Sequence, residues 1–96
     1  MEILVAYDVS TETPEGRRRL WRVAKACEAY CQRVQKSVFE CTLNGAQMEQ
    51  LRYRLQNEMS VAEDSLRIYR LTEPRERYVQ VLGRQPEHDL RDPLVL

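Results

Sequence analysis

The chain has 96 residues, 43% of them hydrophobic and 31% charged, which is the size of one small domain with the composition of a soluble globular protein. Fifteen basic and fifteen acidic residues cancel, and no apolar run approaches the roughly 20 residues that a membrane helix needs. The stretch from Met1 to Asp8 lacks the basic and long apolar regions of a signal peptide, so a cytoplasmic protein is expected.

Glu2 to Val9 reads as a strand, with Ile3, Val5, Tyr7 and Val9 on one face and Leu4, Ala6 and Asp8 on the other. Both faces are largely apolar, as in a strand covered on two sides. Asp8 is the exception, a carboxylate at the carboxyl end. After a polar loop over Ser10 to Thr13, Thr13 and Pro14 supply a helix N-cap and a first helical proline. Leu20, Val23, Ala24, Cys27 and Cys31 recur at helical spacing and predict a helix from Pro14 to about Tyr30. Arg18, Arg22 and Lys25 form a basic stripe on another side of it.

Arg33 to Leu43 is rich in Val, Phe, Cys and Thr and reads as extended. Two short strands with a turn near Ser37 and one bulged strand both fit it. Asn44 with Gln47 makes a capping box for a second helix, whose apolar face is Met48, Leu51, Leu55 and Met59. A polar loop with Glu63 and Asp64 leads to a strand from Ser65 to Leu71. Arg77 to Leu82 reads as one more short strand, and residues 83–96, with Pro86 and Pro93, as a tail. This order predicts an α+β, ferredoxin-like βαββαβ domain over residues 1–82 with an additional C-terminal strand. The plain fold leaves one sheet face open, yet Leu66, Ile68, Tyr69 and Leu71 offer few polar positions to water. A second copy of the chain covering that face, a homodimer, is the economical expectation.

Three cysteines, Cys27, Cys31 and Cys41, are an odd number without an export signal, which points to reduced, mostly buried thiols. With a single histidine, His88, in the polar tail beside Asp89, a zinc site is not expected. The charge is unevenly spread. From Gly16 to Lys36 there are seven basic residues (Arg17, Arg18, Arg19, Arg22, Lys25, Arg33 and Lys36) against the single acid Glu28. Such a block reads either as a phosphate-binding surface or as a solvated helix face.

No nucleophilic triad, phosphate loop or dinucleotide fingerprint is present, so chemistry would rest on carboxylates, with Asp8 the best placed. Asp8 also has a structural reading, as a cap for the following helix or a partner of its arginines. A phosphodiesterase needs more than one carboxylate, and two copies meeting near this strand end would provide two Asp8 side chains to share a divalent metal.

Tyr7-Asp8-Val9 ending the first strand, the Arg-rich first helix, and Arg33-Val34-Gln35-Lys36-Ser37-Val38-Phe39-Glu40 together resemble the CRISPR-associated protein 2 family. The resemblance spans roughly Ile3 to Leu71, and departs from the family where a Tyr-Gly pair is replaced by Tyr30-Cys31. It implies a ferredoxin-like homodimer in which Asp8 of each chain is both catalytic residue and ligand of a divalent metal, typically magnesium (Mg2+). It further implies endonuclease action on single-stranded RNA or double-stranded DNA, assembly with the CRISPR-associated protein 1 integrase, and a part in spacer acquisition. The alternative it leaves is a non-catalytic scaffold that holds duplex DNA for that integrase. Tyr7, Arg17, Arg19, Arg33, Ser37 and Phe39 match positions the family favours. The arginines, with Arg18 and Arg22 from the basic block, are the expected nucleic-acid contacts, and Tyr7, Ser37 and Phe39 the supporting residues.

Overall fold

A computed structural model describes residues 1–84 of the chain. Seven elements follow in order: strand β1 (Glu2–Asp8), helix α1 (Pro14–Glu28), strands β2 (Gln32–Gln35) and β3 (Val38–Thr42), helix α2 (Gly45–Glu58), strand β4 (Ser65–Leu71) and the single turn α3 (Arg75–Tyr78). The strands form one antiparallel sheet in the order β2-β3-β1-β4, the ferredoxin-like arrangement expected from the sequence.

The core follows from strand alternation. Ile3, Val5 and Tyr7 of β1 and Phe39 and Cys41 of β3 point toward the helices and are buried. Val23, Ala26 and Cys27 of α1 and Leu51 and Leu55 of α2 cover them. Phe39, Val5, Val23 and Leu51 are fully enclosed, and burial of side chains of this size stabilises by about 1.5–3 kcal/mol each. Leu66 and Ile68 of β4 pack against the same core. The opposite face, built from Leu4, Ala6, Val38, Glu40, Arg67, Tyr69 and Leu71, has neither α1 nor α2 against it, and α3 touches it at Glu40.

Local signals set the helix ends. Thr13 Oγ1 accepts from the Gly16 amide at 3.0 Å, with Pro14 in the first turn. A Cβ at Gly16 would overlap the Ser10 carbonyl oxygen, so glycine is what lets the loop after β1 close against α1. Asn44 and Gln47 make the reciprocal capping box at 2.8 and 2.9 Å. The C-terminus of α1 needs no left-handed residue. Ala29 stays right-handed, and the Tyr30 and Cys31 amides both reach the Cys27 carbonyl. The replacement of glycine by Cys31 therefore carries no backbone strain.

Residues 32–42 form a hairpin, and β2 also shifts register between Arg33 and Gln35, so the turn and the bulge coexist. Two expectations are corrected. Arg77 to Leu82 is not a strand within the chain: Pro74 starts a helical turn, closed by the Arg77 amide to Pro74 O at 2.9 Å and the Val79 amide to Arg75 O at 3.0 Å. Arg75 of that turn is tied to Glu40 of β3 at 2.6 Å. The cysteines are not all free thiols either. Cys31 and Cys41 form a disulfide with a Cα–Cα separation of 4.4 Å. The register explains it, since Gln32 opposite Glu40 and Arg33 opposite Phe39 put positions 31 and 41 across from each other. Cys27 remains a buried free thiol, and burial pushes its pKa up to about 12. His88 and most of the expected tail lie outside the described residues.

Candidate nucleic-acid and metal site

Asp8 ends β1 on the face opposite the helices, opposite Ser65 of β4 in register. Its side chain is exposed and has no hydrogen bond or ion pair among the described residues. Neither structural role open to it in the sequence is realised: Thr13 caps α1, and the arginines of α1 pair elsewhere. All its oxygen lone pairs remain available.

Three segments meet at this end of the sheet. The Ser37 carbonyl, in the β2–β3 turn, accepts from the Tyr7 amide at 3.1 Å. The loop after Asp8 is held to α1 by Arg17, which donates to the Thr11 carbonyl at 3.1 Å. The third segment is the turn before β4, and Asp64 anchors it. Asp64 accepts from the Ser10 amide at 3.1 Å, from the Ser60 amide at 2.8 Å and from Arg19 Nε at 2.9 Å. Its side chain is 0% exposed and that of Arg19 13%. The Arg19 guanidinium, followed by the two backbone amides, holds the Asp64 carboxyl below its usual range, while burial works in the opposite direction. Sequence reasoning left Asp64 as part of a polar loop. Two of its partners, Ser10 and Arg19, lie 54 and 45 residues away in the chain, and only the Ser60 amide, four residues before it, is local.

The expected site residues divide by what they touch. Phe39 is core, with the Tyr7 ring stacked beside it at 6.1 Å between centroids. Arg33 lies over the Phe39 ring at 5.0 Å, and among the described residues neither its Nε nor the buried Tyr7 hydroxyl has a hydrogen-bond partner. Burial raises the Tyr7 phenol above its ordinary pKa, opposed by the nearby Arg33. Arg19 is taken up by Asp64. Arg18 and Arg22 lie on the outer surface of α1, in ion pairs with Glu15 at 3.6 Å and Glu58 at 2.9 Å, which solvent-exposed partners hold weakly. Arg17, Arg33 and Ser37 line a cleft of about 1320 Å³ beside the β2–β3 turn. Lys36, which was not singled out as a site residue, lines it too and has no ion pair among the described residues.

The described residues contain no group of three or more His, Cys, Asp or Glu side chains placed to hold a metal. Among the described residues, the unpartnered carboxylate at this end of the sheet is that of Asp8. Magnesium accepts that donor set, because it usually takes one or two carboxylates and fills its other positions with water and phosphate oxygen. Arg17 and Lys36, both exposed, line the cleft beside the β2–β3 turn, whose Ser37 carbonyl bonds Tyr7 next to Asp8.

A ferredoxin-like α+β domain with an open sheet face, a free carboxylate at its edge and a basic first helix is the class of protein these elements define. The family model for CRISPR associated protein Cas2 matches residues 1–79. The chain is 54% identical over 96 residues to the CRISPR-associated endoribonuclease Cas2 1 of Moorella thermoacetica, covering 100% of both chains. It is 45% identical over 95 residues to the CRISPR-associated endonuclease Cas2 of Halalkalibacterium halodurans, covering 99% of each. Among solved structures, Streptococcus pyogenes Cas2 superposes with a TM-score of 0.78 at 48% identity, over 86% of this chain and 100% of that one. The chain belongs to the CRISPR-associated protein Cas2 family.

Proposed function

We propose that this chain is a magnesium-dependent endonuclease of CRISPR spacer acquisition, hydrolysing RNA or DNA phosphodiesters at a site centred on Asp8. The observation that carries the reading is the state of Asp8: exposed, at the carboxyl end of β1 after the apolar run Ile3 to Tyr7, and without a partner among the described residues. The names of the relatives from Moorella thermoacetica and Halalkalibacterium halodurans support nuclease chemistry. In this reading two chains pair through their open sheet faces, each contributing Asp8 to one metal site. The apolar Leu4, Ala6, Val38 and Leu71 on that face favour such a pairing. Magnesium, when bound, supplies Lewis acidity toward water and the scissile phosphate. Asp8 holds the cation, and Arg17 and Lys36 bind flanking phosphates and offset the charge that builds up during cleavage. The working location is the cytoplasm. No helix among the described residues is long and apolar enough to cross a membrane, which accords with that.

A second reading has its own support. One carboxylate per chain, with no cluster of metal-binding side chains among the described residues, also suits a dimeric scaffold. Such a scaffold would hold duplex DNA through its arginines while the CRISPR-associated protein 1 integrase does the chemistry. The two readings separate on a magnesium-dependent cleavage assay with single-stranded RNA and duplex DNA. The nuclease reading requires cutting that magnesium switches on and that Asp8→Asn removes, with dimerisation unchanged by sedimentation. Cutting that survives in Asp8→Asn rules that reading out. No cutting by the unaltered protein, with DNA binding intact, leaves the scaffold.

A further inference from the structure

Trp21 is the chain's single tryptophan, and it is 62% exposed on the outer surface of α1. It is not among the residues that pack against the core. The indole does not belong to the buried core of the described residues, and its neighbours are cations. Arg17 and Lys25 stand four residues before and after it on the same helical stripe, about 6 Å along the axis in each direction. Arg18 and Arg22 stand alongside. The Lys25 ammonium lies 5.4 Å from the indole centroid. Trp21 and Arg17 line both the large cleft and a shallower depression of about 470 Å³ formed with Pro14, Arg18 and Arg22. The acids that pair with Arg18, Arg22 and Lys25 (Glu15, Glu58 and Glu28) leave those cations at least 44% exposed, so a polyanion can displace them.

We infer that the outer face of α1 is a binding site for single-stranded polynucleotide, in which an unpaired base stacks on Trp21 and the adjoining phosphates lie on Arg17, Arg18, Arg22 and Lys25. The inference rests on the nucleic-acid reading above and adds a preference to it. Phosphate contacts alone do not distinguish single strands from duplex. A flat aromatic among cations does, because the bases inside a duplex are already stacked on both faces, whereas every base of a single strand can offer its face. The surface lies across the sheet from the open face, so pairing of two chains through their sheets leaves it accessible. Its basic stripe reaches the N-terminal end of α1, where the loop from Asp8 enters.

The single tryptophan makes intrinsic fluorescence a direct probe of this residue. The experiment titrates the full chain with a single-stranded oligonucleotide, and separately with a blunt duplex of the same sequence, in EDTA so that nothing is cut. Quenching by the single strand is expected, with affinity falling about 5- to 100-fold in Trp21→Leu and largely restored in Trp21→Phe. Duplex affinity should change less than about 2-fold across these variants, since its contacts are to phosphate. Unquenched fluorescence on bound single strand, or unchanged single-strand affinity in Trp21→Leu, overturns the proposal and leaves the face to a protein partner. Cleavage in magnesium that still depends on Asp8 would then show that the nuclease reading survives the loss of this one.

Discussion

Two aspartates sit at the same end of the sheet in opposite conditions. Asp8 and Ser65 are register partners, so Asp64 immediately precedes the residue that faces Asp8. Asp64 is enclosed and accepts from two backbone amides and a guanidinium, so its charge is committed to holding Ser10, Ser60 and Arg19 together. Asp8 is exposed and holds nothing. The difference separates a carboxylate that builds a site from one available to act in it. A structural carboxylate is recognised by donors that have already saturated its oxygens, whereas open lone pairs leave a carboxylate available to a cation.

Substitution breaks that contrast most sharply at Asp64. Asp64→Ala leaves the Ser10 and Ser60 amides without their acceptor in a closed turn, and should cost about 3 kcal/mol or more in urea unfolding. A loss under about 1 kcal/mol would mean that the turn is held by other contacts. Gly16→Ala tests the same assembly from the helix side. Its methyl group meets the Ser10 carbonyl, and the expected loss is about 1–3 kcal/mol despite the better helix former.

The pH dependence distinguishes the pair more gently. The carboxyl of Asp64 is held below its ordinary value of 3.8 in the folded chain. Its contribution to stability is therefore complete above that value and is lost as the pH falls below it toward the depressed folded value. Asp64→Asn should flatten the acid limb of the stability profile, measured by urea midpoints from pH 6 down to pH 2. Asp8→Asn should shift the thermal midpoint by no more than about 2–4 °C at neutral pH, the range for a surface change with no partner to lose. The smallest effect is expected at the outer arginines. Arg18→Ala with Arg22→Ala should weaken nucleic-acid binding across all sequences and lower the salt slope by about one to two. An unchanged slope would move the phosphate contacts off α1.

The elements from Glu2 to Leu71 were legible because their signals are local. A run apolar on both faces marked β1, an apolar stretch after a polar loop marked β4, Thr13-Pro14 marked the start of α1, and Asn44 with Gln47 the start of α2. What stayed hidden depends on residues far apart in sequence or on a register. The Cys31–Cys41 bridge follows from the hairpin pairing, which alternation alone left open between a turn and a bulge. The expected fifth strand pairs with neither edge strand, β2 nor β4, among the described residues, and Pro74 with the Arg75–Glu40 pair favours a helical turn instead. At the site, Asp8 stood out as a charge in an apolar strand. Arg19 looked like its basic neighbours until the fold brought Asp64 against it. Trp21 gave no signal because a helical aromatic usually faces the core, and only its exposure marks it.

In the proposed reading Asp8 is free in order to bind a metal, while Asp64 is bound in order to hold the fold. Magnesium-dependent cleavage of a labelled single-stranded RNA and a labelled duplex by purified Asp8→Asn, set beside the unaltered chain and matched for dimer content by sedimentation, tests it most directly. The expected result is loss of all magnesium-dependent cutting, with folding, dimerisation and duplex affinity within about 2-fold of the unaltered chain. Undiminished cutting by Asp8→Asn, or a chain that no longer folds, would contradict it.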